Sequence, residues 1–216
     1  MKFSTRLLVL GAALQLFAGN AGAQQHGPPG RFDYYLLSLS WSPQFCAEGG
    51  ERSAPGQCAP QRHLGFVLHG LWPQFAKGGW PAFCTPGGPV PAEIQDRMLT
   101  ILPNRSLIEH EWEKHGTCSG LDASLYFAAS AAAFRSIRIP EPYRQPDGYL
   151  ATNAGQLAAD FAAANPGLEP SGIAVVCKKQ YLAEVRLCLS KELKPAACGP
   201  DVRNQCSQTV VLRPAR

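Results

Sequence analysis

The chain has 216 residues, of which 45% are hydrophobic and 17% charged, and its formal net charge is +4. That length allows one domain with a sizeable core, and the apolar content excludes a disordered polar tail. The weak basic excess does not by itself announce a polyanion ligand.

The chain opens with Lys2 and Arg6, continues with an apolar stretch from Leu7 to Ala18, and reaches Ala21-Gly22-Ala23. A basic start, a short apolar run and a small-residue site make the pattern of a secretory signal peptide. The run is shorter than the about 20 apolar residues a membrane span requires. Removal of residues 1–23 is therefore expected, leaving residues 24–216 as a single exported domain, periplasmic or secreted, with no attachment to a membrane. Its 18 basic and 16 acidic residues would then leave a charge of +2. All eight cysteines (Cys46, Cys58, Cys84, Cys118, Cys177, Cys188, Cys198 and Cys206) lie in that domain. An even number suits an oxidising compartment and four disulfides, although on the order of 100 pairings are open to eight cysteines. The close C-x-x-C pairs that a structural zinc site favours are absent.

In chain order, residues 24–30 read as a loose terminus and Phe32 to Trp41 as a buried strand. Cys46 to Gln61 is rich in Gly, Pro and Ser and reads as a loop. The apolar run Leu64 to Leu68 predicts a second strand, ending at His69-Gly70. Pro73 to Pro91 carries too many Gly and Pro residues for regular structure and reads as a long surface excursion. Helices are predicted over 91–102, 107–115, 121–137 and 153–164, the last with Thr152 as N-cap. Residues 173–177, 181–189 and 209–212 read as strands. Strands, then helices, then strands indicate an α+β fold with a central antiparallel sheet, not a repeating βαβ order.

Three of the five histidines sit in two short segments, HGLWPQ and HEWEKH. His69 closes the second strand beside Gly70, and Trp72 could offer a flat face to a nucleobase; alternatively Trp72 is core and His69 an ordinary strand-end residue. On a helix, His110, Glu111, Lys114 and His115 fall at about 0, 100, 40 and 140 degrees, one shared face, with Trp112 opposite to anchor it. The segment superficially suggests a zinc peptidase, but that motif places its histidines four residues apart on one stripe. Here they are five apart, and Lys114 would repel a dication. Two histidines, a carboxylate and a lysine suit in-line transfer at a phosphodiester. A base deprotonates the nucleophile, an acid protonates the leaving oxygen, and cations hold the growing charge. RNA brings its own nucleophile in the 2′-OH, and histidine ionises near neutrality, as both proton transfers require.

FVLHGLWPQ and HEWEKHGTC resemble the two active-site segments of the ribonuclease T2 family. DYYLLSLSW followed by Cys46, and LAEVRLCL with its flanking cysteines, extend the resemblance over most of Phe32 to Cys206. It implies a disulfide-stapled T2-like fold and a metal-independent endoribonuclease without cofactor. Single-stranded RNA would be its substrate, 2′,3′-cyclic phosphate and 5′-OH ends its products, and DNA would not be cut. It further implies His69 as general acid, His115 as general base, Glu111 and Lys114 as stabilisers of the pentacovalent phosphorus, and His110 as a phosphate ligand. Cys84 would join Cys118; Cys46 with Cys58, Cys177 with Cys206 and Cys188 with Cys198 follow from order and proximity. Where some members carry an aspartate that contacts the base, this chain has Gln74, whose amide both donates and accepts. Broad base use, with Trp72 and Gln74 at the substrate, and a monomeric state are expected.

Overall fold

A computed structural model describes residues 24–215; the signal-peptide reading falls on residues 1–23 and lies outside them. Six strands form one sheet: β1 (Tyr34–Trp41), β2 (Phe66–Gln74), β3 (Leu150–Thr152), β4 (Ile173–Lys178), β5 (Tyr181–Leu189) and β6 (Val210–Leu212). β1 lies antiparallel between β2 and β5, and β4 pairs antiparallel with the far side of β5. β6 joins β5 in parallel at Tyr181 and carries β3 antiparallel on its other side. The helices are α1 (Ser42–Ala47), α2 (Pro55–Cys58), α3 (Ala92–Met98), α4 (Arg105–Lys114), α5 (Ala123–Ser136) and α6 (Ala154–Ala164).

Alternation along the strands gives the sheet two unlike faces. Leu37, Leu39, Leu68, Leu71, Val185 and Leu187 turn to one side and join Ile108 and Trp112 of α4, Tyr126 and Phe127 of α5, and Leu157 and Phe161 of α6 in a single buried cluster. Residues between them in the strands, Ser38, Gly70, Trp72, Glu184 and Arg186, turn to the other side. Leu68 and Leu71 are three apart, so a regular strand could not put both in the core. The pairing shows how they get there: Ser38 faces Gly70 while Leu39 faces Leu68, leaving His69 as an extra residue in β2. This is a β-bulge, a device that re-aims a side chain at a sheet edge.

The bulge also corrects the strand boundary. β2 does not end at His69 but runs on to Gln74. Pro73 is tolerated because β2 is an edge strand, where a missing N–H breaks no ladder bond. The expected loop at 46–61 contains α2 and the end of α1, and α4 begins two residues before the predicted Leu107. Asn104 caps it, its Oδ1 accepting from the Leu107 N–H at 3.2 Å. α3 ends at Met98, short of Leu102, and α5 spans one to two residues less at each end than predicted. Asn153, not Thr152, caps α6.

Disulfides join Cys46 to Cys58, Cys84 to Cys118, Cys177 to Cys206, and Cys188 to Cys198. The second ties the excursion after β2 to the turn following α4. Further bonds dock the two: Phe83 N–H donates to Lys114 O at 2.9 Å and Trp112 Nε1 donates to Gly87 O at 2.7 Å. No helix among the described residues is long and apolar enough to cross a membrane.

Candidate active site

Strand β2 and helix α4 bring the two histidine segments together. His69, Trp72 and Gln74 from the strand line one cavity of about 370 Å³ with His110, Glu111, Lys114 and His115 from the helix. Trp112, on the opposite side of α4, is buried in the core and holds that helix face towards the sheet. A second cavity, about 380 Å³, lies on the other side of His69 and His110, which line both. It is bordered by Gln44, Gln57, Asn104 and Glu184.

At the centre is Glu111, whose side chain is only 2% exposed. Its Oε2 accepts from Trp72 Nε1 at 2.6 Å, and its Oε1 lies 3.9 Å from His69 Nε2. This bond passes over Gly70, where a Cβ would stand 2.0 Å from Glu111 Oε2 and 2.3 Å from Trp72 Nε1. Only glycine leaves that space. Burial pushes the Glu111 carboxyl up to about 7, against the pull of His69, the Trp72 N–H and Lys114.

The surroundings of the two histidines push their pKa values in opposite directions. Burial acts to lower His69, but a 2.7 Å hydrogen bond from Nδ1 to Glu184 Oε1 and the charges of Glu184 and Glu111 outweigh it, so its pKa stands above the ordinary 6.5. His115 is buried at the C-terminal end of α4, its Nδ1 without a hydrogen-bond partner. Burial, reinforced by Lys114, His110 and His69, pushes it down to about 2. A proton added there would enter a site with no acceptor. His110 is exposed and is lowered by its partial desolvation and by Lys114.

Trp72 and Gln74 are less free than a substrate platform would be. The His115 ring stacks on Trp72 at 5.2 Å, the Arg186 guanidinium lies over it at 5.3 Å, and His69 meets it edge-on at 5.0 Å. Gln74 is buried and its Nε2 donates to Pro73 O at 2.9 Å. Residues not singled out from sequence complete the surroundings: Trp80, Asp201 and Arg186 line the first cavity and Glu184 the second. Alternating apolar and charged positions over 184–187 were the available signal, but an outward charge on a strand ordinarily means solvent.

Comparison with known proteins agrees with this architecture. A ribonuclease from Aeromonas hydrophila is 38% identical over 193 residues, covering 86% of this chain and 84% of that protein. A probable ribonuclease from Haemophilus influenzae is 39% identical over half of this chain and 44% of its own length. Among solved structures, an RNase-related protein from Calystegia sepium superposes with a TM-score of 0.68 at 22% identity, over 86% of this chain and 98% of that one. A mutant of RNase MC1 in complex with 5′-UMP gives 0.65 at 22% identity, over 83% and 97%. The model of the ribonuclease T2 family matches residues 32–198, a span that holds β1, β2, α4 and both histidine segments and ends at Cys198. With its two histidine segments inside that match and a relative alike over most of both lengths, the chain belongs to the ribonuclease T2 family.

Proposed function

We propose that RNA lies across the two cavities with its scissile phosphate at their shared border, beside His69 and His110, and that His69 and His115 carry the two proton transfers. The chain is an endoribonuclease of a family that cuts RNA without a metal, by way of a 2′,3′-cyclic phosphate. His115, held neutral, takes the proton from the 2′-OH, whose oxygen attacks phosphorus. His69, held protonated, gives its Nε2 proton to the departing 5′ oxygen. Lys114 and His110 meet the charge that grows on the non-bridging oxygens. When protonated, Glu111, whose carboxyl burial pushes up to about 7, donates a hydrogen bond to those oxygens; when ionised, it supports the charge on His69. The observation that carries this reading is the convergence of His69 from β2 and His110, Glu111, Lys114 and His115 from α4 and its C-terminal end on a single cavity, and the opposite environments of the two rings divide the acid and base roles between them.

Trp72 serves as a spacer that holds Glu111 by its N–H and His115 by its face. Base use is broad, because Gln74 has its amide N–H engaged by backbone. DNA, lacking the 2′-OH, is not cut. The working form is one domain of residues 24–216, exported after loss of residues 1–23; a monomer suffices, because one chain supplies every group named.

The sign of the pH dependence follows. The base must be unprotonated, and a value of about 2 keeps His115 so throughout the working range. The acid must be protonated, so the rate falls as pH rises through the elevated pKa of His69, and Glu111 loses its proton near 7. The kcat/KM for a dinucleotide should show an acidic plateau and a descending alkaline limb. A rate climbing steadily into alkali would overturn the assignment. Digestion of the four homopolymers in EDTA tests base use; strong preference for one would refute breadth.

A further inference from the structure

In β5, Val185 and Leu187 enter the core, so Glu184 and Arg186 share the opposite face. The Glu184 side chain is 13% exposed, and a carboxylate so placed is costly unless paired. It is paired twice: Oε1 meets His69 Nδ1 at 2.7 Å, and Oε2 accepts from Arg186 Nε at 2.8 Å and Nη2 at 2.7 Å. The first contact crosses a whole strand. β1 separates β5 from β2, so the two backbones are about 10 Å apart. The reach is open because Ser40 stands opposite Glu184, Ser38 opposite Arg186, and Gly70 opposite Ser38. Large side chains there would fill the path.

We propose that Glu184 is the positioning residue of His69, holding the Nδ1–H so that the transferable proton sits on Nε2 facing the cavity, with Arg186 fixing the carboxylate in turn. This rests on the reading of His69 as the general acid. Glu184 touches neither substrate nor reacting atoms; it remains ionised while the Nε2 proton passes to the leaving oxygen and the Nδ1 proton stays on the ring. Burial works to raise the Glu184 carboxyl, but His69 and Arg186 carry it down to about 2, so it is a fixed anion over the working range. The charged groups facing His69 are Glu184 and Arg186 from β5, and Glu111, His110 and Lys114 from α4. Across the second cavity, Lys178 and Glu48 neutralise one another at 2.6 Å.

The test is E184Q in the full disulfide-bonded chain, read by pH–rate profiles on a dinucleotide and by NMR titration of the His69 ring. The glutamine keeps the shape and removes the charge. The His69 pKa should drop by about one unit or more, the alkaline limb should move down with it, and kcat should fall about 10- to 100-fold with KM changed less than threefold. R186Q frees the carboxylate but also removes a cation that opposes the charge on His69, so it should lower kcat by less than E184Q while moving the limb upward, and it carries the test if E184Q does not fold. An unmoved ring pKa and limb, or a loss confined to KM, would overturn the proposal. H69A separates the two claims. If it retains activity, the acid assignment itself fails; if it is inactive while E184Q titrates like wild type, only the role of Glu184 fails.

Discussion

The two faces of the central sheet are built from alternate residues of the same strands, yet they do different work. Towards the helices β1, β2 and β5 present Leu37, Leu39, Leu68, Leu71, Val185 and Leu187, all fully or almost fully buried. Towards the cavities they present Ser38, Gly70, Trp72, Glu184 and Arg186, and the bulge adds His69. One face is close-packed, so that any change of volume costs stability; the other is an interlocked network, His69–Glu184–Arg186–Trp72–Glu111, in which each member contacts the next. A sheet can thus hold a charged site rigidly because its reverse side is core.

Substitutions on each face should therefore separate activity from stability. The largest effect belongs to His69→Ala. Turnover on RNA should fall about 10²- to 10⁴-fold, an effect of about 3–5.5 kcal/mol at 1.36 kcal/mol per tenfold, while the unfolding midpoint falls by less than for a core truncation, because the buried Glu184 loses one partner but keeps Arg186. A large fall in midpoint would erase the distinction between the faces. Leu37→Ala, on the other side of β1, should cost about 2–5 kcal/mol in urea unfolding with disulfides intact, and leave the specific activity of the folded fraction unchanged. Gly70→Ala sharpens the comparison, since its Cβ would intrude between Glu111 and Trp72. A displacement of about 1 Å at Glu111 should lower kcat about 100-fold, with the fold retained by circular dichroism; wild-type kinetics would show that the Glu111–Trp72 bond is dispensable. The smallest effect is Asn104→Ala, which removes the cap of α4 and should cost about 1 kcal/mol of stability without altering the pH profile.

Much of this was legible in the sequence because it is local. Spacing in HEWEKH put four polar side chains on one helix face, and the structure finds all four around one cavity. Residues 181–189 read as a strand and are one. What escaped depends on partners far along the chain. Leu68 and Leu71 break the period of two, so β2 looked finished at His69, where a bulge in fact carries it onward. Glu184 meets His69 across 115 positions, and nothing near either residue announces the other. Trp72 read as an open platform because its neighbours His115 and Arg186 come from different elements. β3, three residues long, is too short to show a period and exists through its pairing with β6.

The proposed cleavage divides two proton transfers at an RNA phosphodiester between His115 and His69. Its most direct test is the chemistry of the product ends when wild type, H69A and H115A are incubated in EDTA with a defined single-stranded RNA and the same sequence in DNA. Wild type should leave 2′,3′-cyclic phosphate and 5′-OH ends on RNA and leave DNA intact, and both variants should yield almost no product. Ends bearing 3′-OH and 5′-phosphate, or undiminished cleavage by either variant, would contradict it.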